Sequence, residues 1–483
     1  MRYLVFAVIP FAMVILISCT FAQSSETEAL ESKVEMLEDE LKEIKDLLRQ
    51  QIAKDVQKEK EMALLKEEVQ KRDVKITAEE SPASVKEPVI KEAIGEESYL
   101  ARKSAELSEK KLAPAFGGVY TKPFLRRFGR NTYLGGYMDF EYRASENEAD
   151  PQGFTQKRFI PFIYSDISDR VKLAAEIEFE YGGVGGGRSG EVILEFGTID
   201  FLLTDWINWR GGFLLTPLGK LNLVHDSPLQ DFTDRPLVDQ LIIPTTLTDL
   251  GMGFFGTMYP SELSKLDYEI YVTNGVFRGL DANGEARIGE VNGLRSAKGG
   301  YFNDSYNESP GVVGRVAFSP FIGLEVAGSA YTSRYDENND NQLTISALDF
   351  TYQRGPFEFL GEGAYAFMDT NELAEDAGIT DDMWGYYLEA RYHFMPSILK
   401  SWSPKIFTEN STFTGVLRWD QVQTAGLEDG EGVYWLRNRI TPGLNYRYTE
   451  DTVFKLDYQI NMEEKDMPGI ANNAFLFSVA TYF

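Results

Sequence analysis

Cysteine, histidine and long apolar segments are scarce in this chain of 483 residues. It has one cysteine, Cys19, and two histidines, His225 and His393. One cysteine cannot form an intramolecular disulfide, and so few cysteines and histidines exclude a zinc site built from them. A helix needs about 18–20 consecutive apolar residues to cross a bilayer. No such run follows the N-terminal residues, so the sequence excludes a protein whose main body crosses a membrane by helices.

Positive charge is also in deficit. The chain has 48 Lys and Arg against 75 Asp and Glu, a formal net charge of -27. This balance excludes nucleic acid as a partner, because nucleic-acid binding relies on cationic side chains. The acidic residues are too dispersed to name a calcium site, and the glycines of 182–187 lack the strand-to-helix context of a phosphate-binding loop. We therefore predict a protein that is not an enzyme, with no catalytic residue, no metal and no cofactor.

The first 22 residues have the composition of an export signal. Arg2 precedes an apolar run from Tyr3 to Ile17, and Thr20-Phe21-Ala22 fits a cleavage site. The sequence around Cys19, Leu16-Ile17-Ser18-Cys19, also resembles the processing site of bacterial lipoproteins, so acylation of Cys19 is the alternative. Either route predicts a signal peptide and an exported protein.

Residues 23–76 carry a heptad pattern. Apolar residues recur at spacings of three and four: Leu30, Val34, Leu37, Leu41, Ile44, Leu48, Met62, Leu65, Val69 and Ile76. This pattern predicts an α-helical coiled coil that joins protomers, and a single solvated helix is the alternative. Residues 77–130, with Pro82, Pro88 and Pro114, are interpreted as a linker in the periplasm with room for one short helix.

From residue 131 to 483 the apolar residues alternate with polar ones. In the stretch Val171 to Tyr181, for example, one face is apolar and the other carries Lys172, Glu176, Glu178 and Glu180. Similar rows recur up to the stretch Ala474 to Phe483. A period of two predicts β-strands, and the rows number about sixteen. The predicted fold is all-β.

Two features favour a transmembrane antiparallel β-barrel over a soluble β domain. Short turns such as Arg354-Gly355 alternate with long loops such as Gly275 to Pro310, as they do in up-and-down barrels. The charged face must also meet water, because Lys or Arg facing lipid costs about 2–4 kcal/mol. About sixteen strands enclose an aqueous lumen, and aromatic residues near strand ends, including Trp384 and Tyr392, are expected at the membrane interfaces.

A segment near residues 223–248 is predicted to fold inward and narrow the pore. It is too long for a tight hairpin and too rich in Leu and Ile for a solvated loop. A surface loop packed at a protomer contact is the alternative. The candidate constriction residues are His225, Asp226, Asp231, Asp234 and Arg235.

Two groups of opposite charge are predicted to line the pore. They are Arg418, Arg437, Arg439 and Arg447 on late strands, and Glu176, Glu178 and Glu180 on an early strand. One hypothesis is a transverse field that orients polar solutes. The other is that these groups are paired charges that only keep the interior wet.

Several motifs carry a resemblance to a known family. They are Pro217-Leu218-Gly219-Lys220-Leu221-Asn222, Arg354-Gly355-Pro356-Phe357-Glu358, Leu417-Arg418-Trp419-Asp420 and Thr441-Pro442-Gly443-Leu444-Asn445-Tyr446. With these motifs, the region from Tyr133 to Phe483 resembles the phosphate-selective porin O/P family of bacterial outer-membrane channels. The resemblance implies a sixteen-stranded trimeric porin with inward-folded loops. The predicted lumen departs from that family because acidic residues outnumber basic ones, so phosphate specificity is not carried over.

The sequence thus predicts a passive diffusion channel for small hydrophilic or ionic solutes. Its location would be the bacterial outer membrane, with the N-terminal region in the periplasm, and its partners would be outer-membrane lipid and two further copies in a homotrimer. The alternative function is structural: the barrel would be an anchor, and the coiled coil would contact the cell wall and tether or space the membrane.

Overall fold

The computed structural model describes residues 126–128, 131–147, 150, 152–185, 188–276, 279–297, 310–425, 435–463 and 472–483. The predicted signal peptide, the coiled coil and residues 77–125 of the predicted linker lie outside these residues. All of these described residues belong to one compact unit. Within the part of the chain that the structure describes, no helix is both long and apolar enough to cross a membrane.

Sixteen antiparallel strands form one closed sheet. In chain order they are β1 Thr132–Ser145, β2 Gly153–Asp166, β3 Val171–Glu180, β4 Val192–Leu202, β5 Asn208–Leu215, β6 Thr248–Ser261, β7 Ser264–Thr273, β8 Gly311–Phe321, β9 Leu324–Arg334, β10 Gln342–Arg354, β11 Phe357–Met368, β12 Asp382–Phe394, β13 Thr412–Gln423, β14 Leu436–Thr449, β15 Thr452–Glu463 and β16 Ala474–Tyr482. Each strand pairs with its sequence neighbours, and β16 closes the ring by pairing with β1, where Tyr482 lies opposite Tyr137. The all-β, sixteen-stranded barrel predicted from the sequence is confirmed.

The connections at the two ends of the barrel differ in length. At one end, which we call the short-turn end, six connections have two to five residues, and the seventh spans residues 395–411. The other end, the long-loop end, carries the longer connections, including residues 216–247 and 274–310. The connections contain short elements: helices α1 Leu237–Leu241, α2 Glu372–Asp376 and α3 Ser397–Trp402, single 3-10 turns at Ser227–Leu229 and Arg295–Ala297, and a hairpin of Val184–Gly185 with Arg188–Ser189. A strand at Arg126–Phe128, within the predicted linker, pairs with the start of β1.

Alternation along each strand separates an apolar row from a row that carries charges. On β3, Lys172, Glu176 and Glu178 are buried, whereas the residues between them, such as Leu173 and Ile177, are partly exposed. Buried charges need partners or water, and a closed sheet encloses only its interior. The charged rows therefore face the lumen, and the apolar rows face outward.

One part of the barrel interior is apolar. Inward-facing residues of β8 to β12 pack against residues of the connections 216–247 and 274–297 in one buried cluster. Its members from the strands include Val313, Tyr331, Leu343, Ile345, Met383 and Tyr387, and those from the connections include Leu218, Leu237, Val238, Ile242, Ile243, Leu280 and Leu294. The sequence predicted charged residues on the inward face of nearly every strand. The apolar part exists because the two connections fold over these strands and exclude water there.

Candidate functional site

Residues 216–247, which connect β5 to β6, form a segment that we call the inner segment. Prolines at 217, 228, 236 and 244 prevent it from continuing as a strand or a long helix. Gly219 has a φ of 70°, and a Cβ at this position would overlap the carboxylate of Glu362 on β11. Glycine favours this backbone conformation and allows the close approach of Glu362.

The inner segment crosses the lumen. His225 lies 2.6 Å from Glu195 on β4, measured from Nε2 to Oε1. The backbone N–H of Gly219 donates to Ser329 on β9 at 2.9 Å, and Arg447 on β14 donates to Asp231 at 2.8 Å. These three strands lie far apart around the ring. A connection can reach all of them only from inside the barrel.

Asp231 of the inner segment contacts two arginines of the barrel wall. Its carboxylate accepts hydrogen bonds from Arg447 Nη2 of β14 at 2.8 Å and from Asn445 Nδ2 at 2.9 Å. Arg391 of β12 adds an ion pair, with its Nε 3.0 Å from the carboxylate. Burial alone would raise the pKa of Asp231, but the two guanidinium groups more than offset this and hold the pKa below its usual range. Asp231 is therefore ionised at neutral pH and joins two strands to the segment.

Asp234 makes a second ionic contact. Arg143 on β1 donates to both of its carboxylate oxygens, at 2.7 and 2.6 Å, and Gln459 on β15 donates at 2.8 Å. Burial raises the pKa of Asp234, whereas Arg143 and then Lys157 lower it by more, so the net shift of the pKa is downward. Both hydrogen bonds from Arg143 come from one nitrogen, Nη2, so this charge-assisted contact fixes the position of Asp234 beside β1.

His225 and Asp226 lie among protein groups, with exposed fractions of 1% and 0%. His225 Nδ1 is 2.9 Å from the backbone oxygen of Asn222, so this nitrogen carries the proton because a carbonyl only accepts. Asp226 accepts a hydrogen bond from the hydroxyl of Tyr482 on β16 at 2.8 Å. Both residues bind the segment to the barrel wall.

Arg235 is half-buried. Its Nη1 donates to the backbone oxygen of Thr245 at 2.5 Å, and Nη1 of Arg295, from the connection 274–310, donates to the same oxygen at 2.7 Å. The backbone carbonyl of Thr245 thus accepts hydrogen bonds from two guanidinium groups. This arrangement joins the inner segment to the second inward-folded connection.

The predicted lining arginines all lie in the inward rows of β13 and β14. Arg418 pairs with Asp420 at 2.9 Å, and Arg447 pairs with Asp231. Arg439 donates to Asn461 at 2.6 Å, and Arg437 donates to the backbone oxygen of Val291 at 2.6 Å. Arg418 and Arg447 thus form ion pairs with carboxylates, and Arg437 and Arg439 donate hydrogen bonds to neutral oxygens.

The predicted glutamate group lies on a different part of the wall, on β3. Glu176 accepts from the hydroxyl of Tyr164 at 3.1 Å, and Arg158 of β2 lies 3.2 Å from Glu178 and 3.7 Å from Glu180. Arg158 therefore neutralises part of this acidic group locally. The structure brings the three glutamates together, and the arginines form a separate group near the inner segment.

Several other charged residues of the inward rows also contact the inner segment. Asp457 of β15 accepts from the backbone N–H of Thr233 at 2.6 Å, Asp420 from that of Leu237 at 2.9 Å, and Glu362 from that of Lys220 at 2.8 Å. Lys455 donates to the backbone oxygens of Ser227 and Phe232. Alternation identifies these residues as inward-facing, but no local pattern links them to a segment 130 or more residues away.

Comparison with known proteins gives one relative and several similar structures. No protein-family model matches the chain. An uncharacterized protein from Aquifex aeolicus (strain VF5) is 27% identical over 306 residues, which cover 59% of this chain and 65% of that protein. The match thus spans less than two thirds of the relative's length.

Three solved structures illustrate the similarity of fold. OmpF from Salmonella typhi, in complex with daunomycin, is 11% identical, with a TM-score of 0.49 over 74% of this chain and 100% of that chain. The outer-membrane channel DcaP of Acinetobacter baumannii is 10% identical, with a TM-score of 0.47 over 74% and 99%. An anion-selective porin from Comamonas acidovorans is 11% identical, with a TM-score of 0.45 over 73% and 99%. At these values, the function of this chain has to be argued from its own residues.

Proposed function

We propose that the protein is a passive channel of the bacterial outer membrane, through which small hydrophilic or ionic solutes diffuse. The supporting observation is the division of a closed sixteen-stranded barrel into apolar outward rows and charged inward rows. A closed barrel satisfies every strand's hydrogen bonds without an exposed edge, which is the condition for crossing lipid. Outward residues such as Leu388 and Leu417, 51% and 53% exposed, lose nothing in lipid, whereas the inward charges need a wet interior.

The inner segment is proposed to set the width and the field of the channel. Because its contacts reach opposite walls, any solute path has to pass beside it. The acidic groups Asp231 and Asp234 are paired with arginines, so a solute meets alternating charges rather than a field of one sign. We therefore expect weak ion selectivity and a size limit, without strong specificity for one ion.

Electrical recording tests the channel itself. The purified full chain, inserted in a planar bilayer, is expected to give a steady conductance proportional to voltage, and a modest reversal potential in a salt gradient. Vesicles that contain the protein should swell in sugars at rates that fall as the sugar grows. A folded barrel that leaves the bilayer as resistant as lipid alone would contradict the proposal.

Chemical modification tests the constriction. The only cysteine lies in the predicted signal region, so the sequence predicts no free thiol in the mature chain. An Arg235→Cys variant, treated with a charged methanethiosulfonate during recording, is expected to lose conductance in steps. The control is Ser346→Cys, at an exposed outward position of β10. If Arg235→Cys reacts without changing the conductance, the inner segment does not line the path.

Trimeric assembly is part of the same proposal and rests on residues 23–76. Mass measurement of the full chain in detergent should give three copies per particle. A variant with polar residues at Leu37 and Leu41 should dissociate, because these positions belong to the predicted heptad seam. A monomer in the unmodified protein would exclude this assembly.

A further inference from the structure

The connection between β12 and β13 is exceptional for its end of the barrel. We call its residues, 395–411, the rim segment. It contains helix α3, and the six other connections at the short-turn end have at most five residues. A turn between antiparallel neighbours needs only a few residues. The extra length of the rim segment therefore calls for another explanation.

The rim segment folds back along the outer surface of the barrel. Tyr446 and Tyr448 belong to the outward row of β14, and their hydroxyls donate to the backbone oxygens of Ile406 and Lys405, the second at 3.4 Å. The ring of Phe407 lies 5.6 Å from that of Tyr446, between centroids. These contacts place the segment against the outside of the wall and not below the lumen.

Apolar side chains of the rim segment project away from the protein. Ile398, Trp402 and Ile406 are 72%, 77% and 53% exposed, and no residue of α3 is buried. Lys400 pairs with Glu409 at 2.8 Å, and Lys405 is exposed between the apolar residues. Tryptophan and isoleucine beside lysines are typical of segments that lie in the headgroup region of a bilayer.

The exposed residues are continuous with the outward aromatic residues of the barrel. Ring centroids of Trp402 and Phe407 are 6.4 Å apart, those of Phe407 and Phe413 6.0 Å, and those of Phe413 and Phe394 5.8 Å. Phe394 then stacks on Tyr392 at 5.7 Å. The apolar surface of the rim segment thus extends the band that the proposed function places in lipid.

We infer that the rim segment is a membrane anchor that lies in the phospholipid headgroup region at the short-turn end of the barrel. Ile398, Trp402 and Ile406 enter the lipid, and the ammonium groups of Lys400 and Lys405 lie at the level of the phosphates. The inference rests on the proposed location of the barrel in a bilayer. Lipid is the expected partner because the surface continues the lipid-facing band, and because the exposed Lys405 among the apolar groups suits anionic headgroups better than a packed protein contact.

Tryptophan quenching by brominated lipid tests the anchor. The unmodified protein and Trp402→Phe are placed in vesicles of phosphatidylcholine and phosphatidylglycerol brominated either near the headgroup or near the chain ends. The difference between the two emission spectra is the contribution of Trp402. Shallow bromine is expected to quench this contribution at least about twofold more than deep bromine, as for a group at the interface.

Trp419 gives an internal depth reference. It lies in the outward row of β13, near the middle of the wall, so the contribution removed by Trp419→Phe should be quenched more by deep bromine. If lipid quenches neither tryptophan, the barrel is not in the bilayer and the proposed function fails as well. If lipid quenches Trp419 while aqueous iodide alone quenches Trp402, only the anchor is overturned. A Trp402 shielded from both quenchers means that a second protein surface covers it, which also overturns the anchor.

A second variant tests whether the apolar side chains hold the segment in lipid. Ile398→Ser combined with Ile406→Ser should transfer the quenching of Trp402 from shallow bromine to aqueous iodide. The matched control is Ile322→Ser, because Ile322 is 87% exposed in a two-residue turn at the same end. This control should leave the quenching of Trp402 unchanged. An equal effect of both variants would contradict a specific role for the rim segment.

Discussion

The inner segment meets the barrel in two different ways. Toward β1, β12 and β14 it is held by ion pairs. Asp231 pairs with Arg391 and Arg447, and Asp234 pairs with Arg143. We call this the ionic contact. Toward β8 to β12 its side chains, such as Ile242 and Ile243, pack into the apolar cluster. We call this the apolar contact.

Because one contact is ionic and the other apolar, the two contacts have separate roles. Ion pairs with hydrogen bonds are directional, so the ionic contact fixes where the segment lies and which charges remain beside the solute path. Apolar packing is non-directional and excludes water, so the apolar contact supplies stability without a field. Breaking the ionic contact should therefore change both stability and ion selectivity. Breaking the apolar contact should change stability alone.

The largest expected effect follows from Asp231→Ala. Removing this carboxylate leaves Arg447 without its acidic partner and Arg391 with fewer, and breaking a buried pair costs about 4 kcal/mol. Urea unfolding in lipid vesicles, followed by tryptophan fluorescence, measures the loss. The control Asp267→Asn removes a carboxylate that pairs with Lys265 at 2.7 Å, away from the inner segment, and should cost less than about 1 kcal/mol. Equal losses in both variants would mean that Asp231 does not hold the segment.

The apolar contact is tested by Ile243→Ala. Ile243 is fully buried, and truncating such a side chain costs roughly 3 kcal/mol through lost burial and the cavity left behind. The reversal potential should stay at its unmodified value because no charge changes. Ile243→Val, a smaller truncation at the same position, should cost about 1 kcal/mol. If Ile243→Ala changes ion selectivity as much as Asp231→Ala, the two contacts do not have separate roles.

A smaller change of stability, with a clear electrical effect, is expected for Asp234→Asn. The substitution leaves Arg143 without the carboxylate of Asp234 beside the inner segment, so the preference for cations should fall. The reversal potential should therefore shift toward the equilibrium potential of the anion. The shift should decrease as salt rises, because the Debye length falls from about 10 Å at 0.1 M to about 3 Å at 1 M. Asp205→Asn makes the same change of charge on an exposed short turn and should leave the potential unchanged. A shift of the same size in both variants would show a general effect of net charge.

Alternation identified most strands from the sequence, but it failed where the barrel interior is apolar. At the beginning of β10, Leu343 and Ile345 face inward, whereas Thr344 and Ser346 face outward. The apolar row of this strand therefore lies on the inward side, where most other strands carry charged residues. The reversal occurs because the inward-folded connections cover these positions, and that contact depends on residues about 100 positions earlier in the chain.

The partners of the candidate site residues could not be predicted for a related reason. Asp231 was singled out as a candidate, but Arg391 and Arg447 lie at least 160 residues further along the chain, and only the closed ring brings them together. The rim segment was missed as well. Its signals were Pro396 and Pro404 around apolar residues and lysines, and alternation gives no information about such a connection.

The smallest expected effect concerns pH and again separates the two contacts. Arg143 holds the pKa of Asp234 below its unfolded value of about 3.9, so the stability from this ion pair is complete above that value and is lost as pH falls through the folded pKa. The difference in unfolding free energy between the unmodified protein and Asp234→Asn should be the same at pH 7 and pH 5 and about 1 kcal/mol smaller at pH 3. The corresponding difference for Ile243→Ala should not change with pH, because neither side chain titrates. If the two differences fall in parallel, acid weakens the whole barrel and the ionic contact has no separate response to protons.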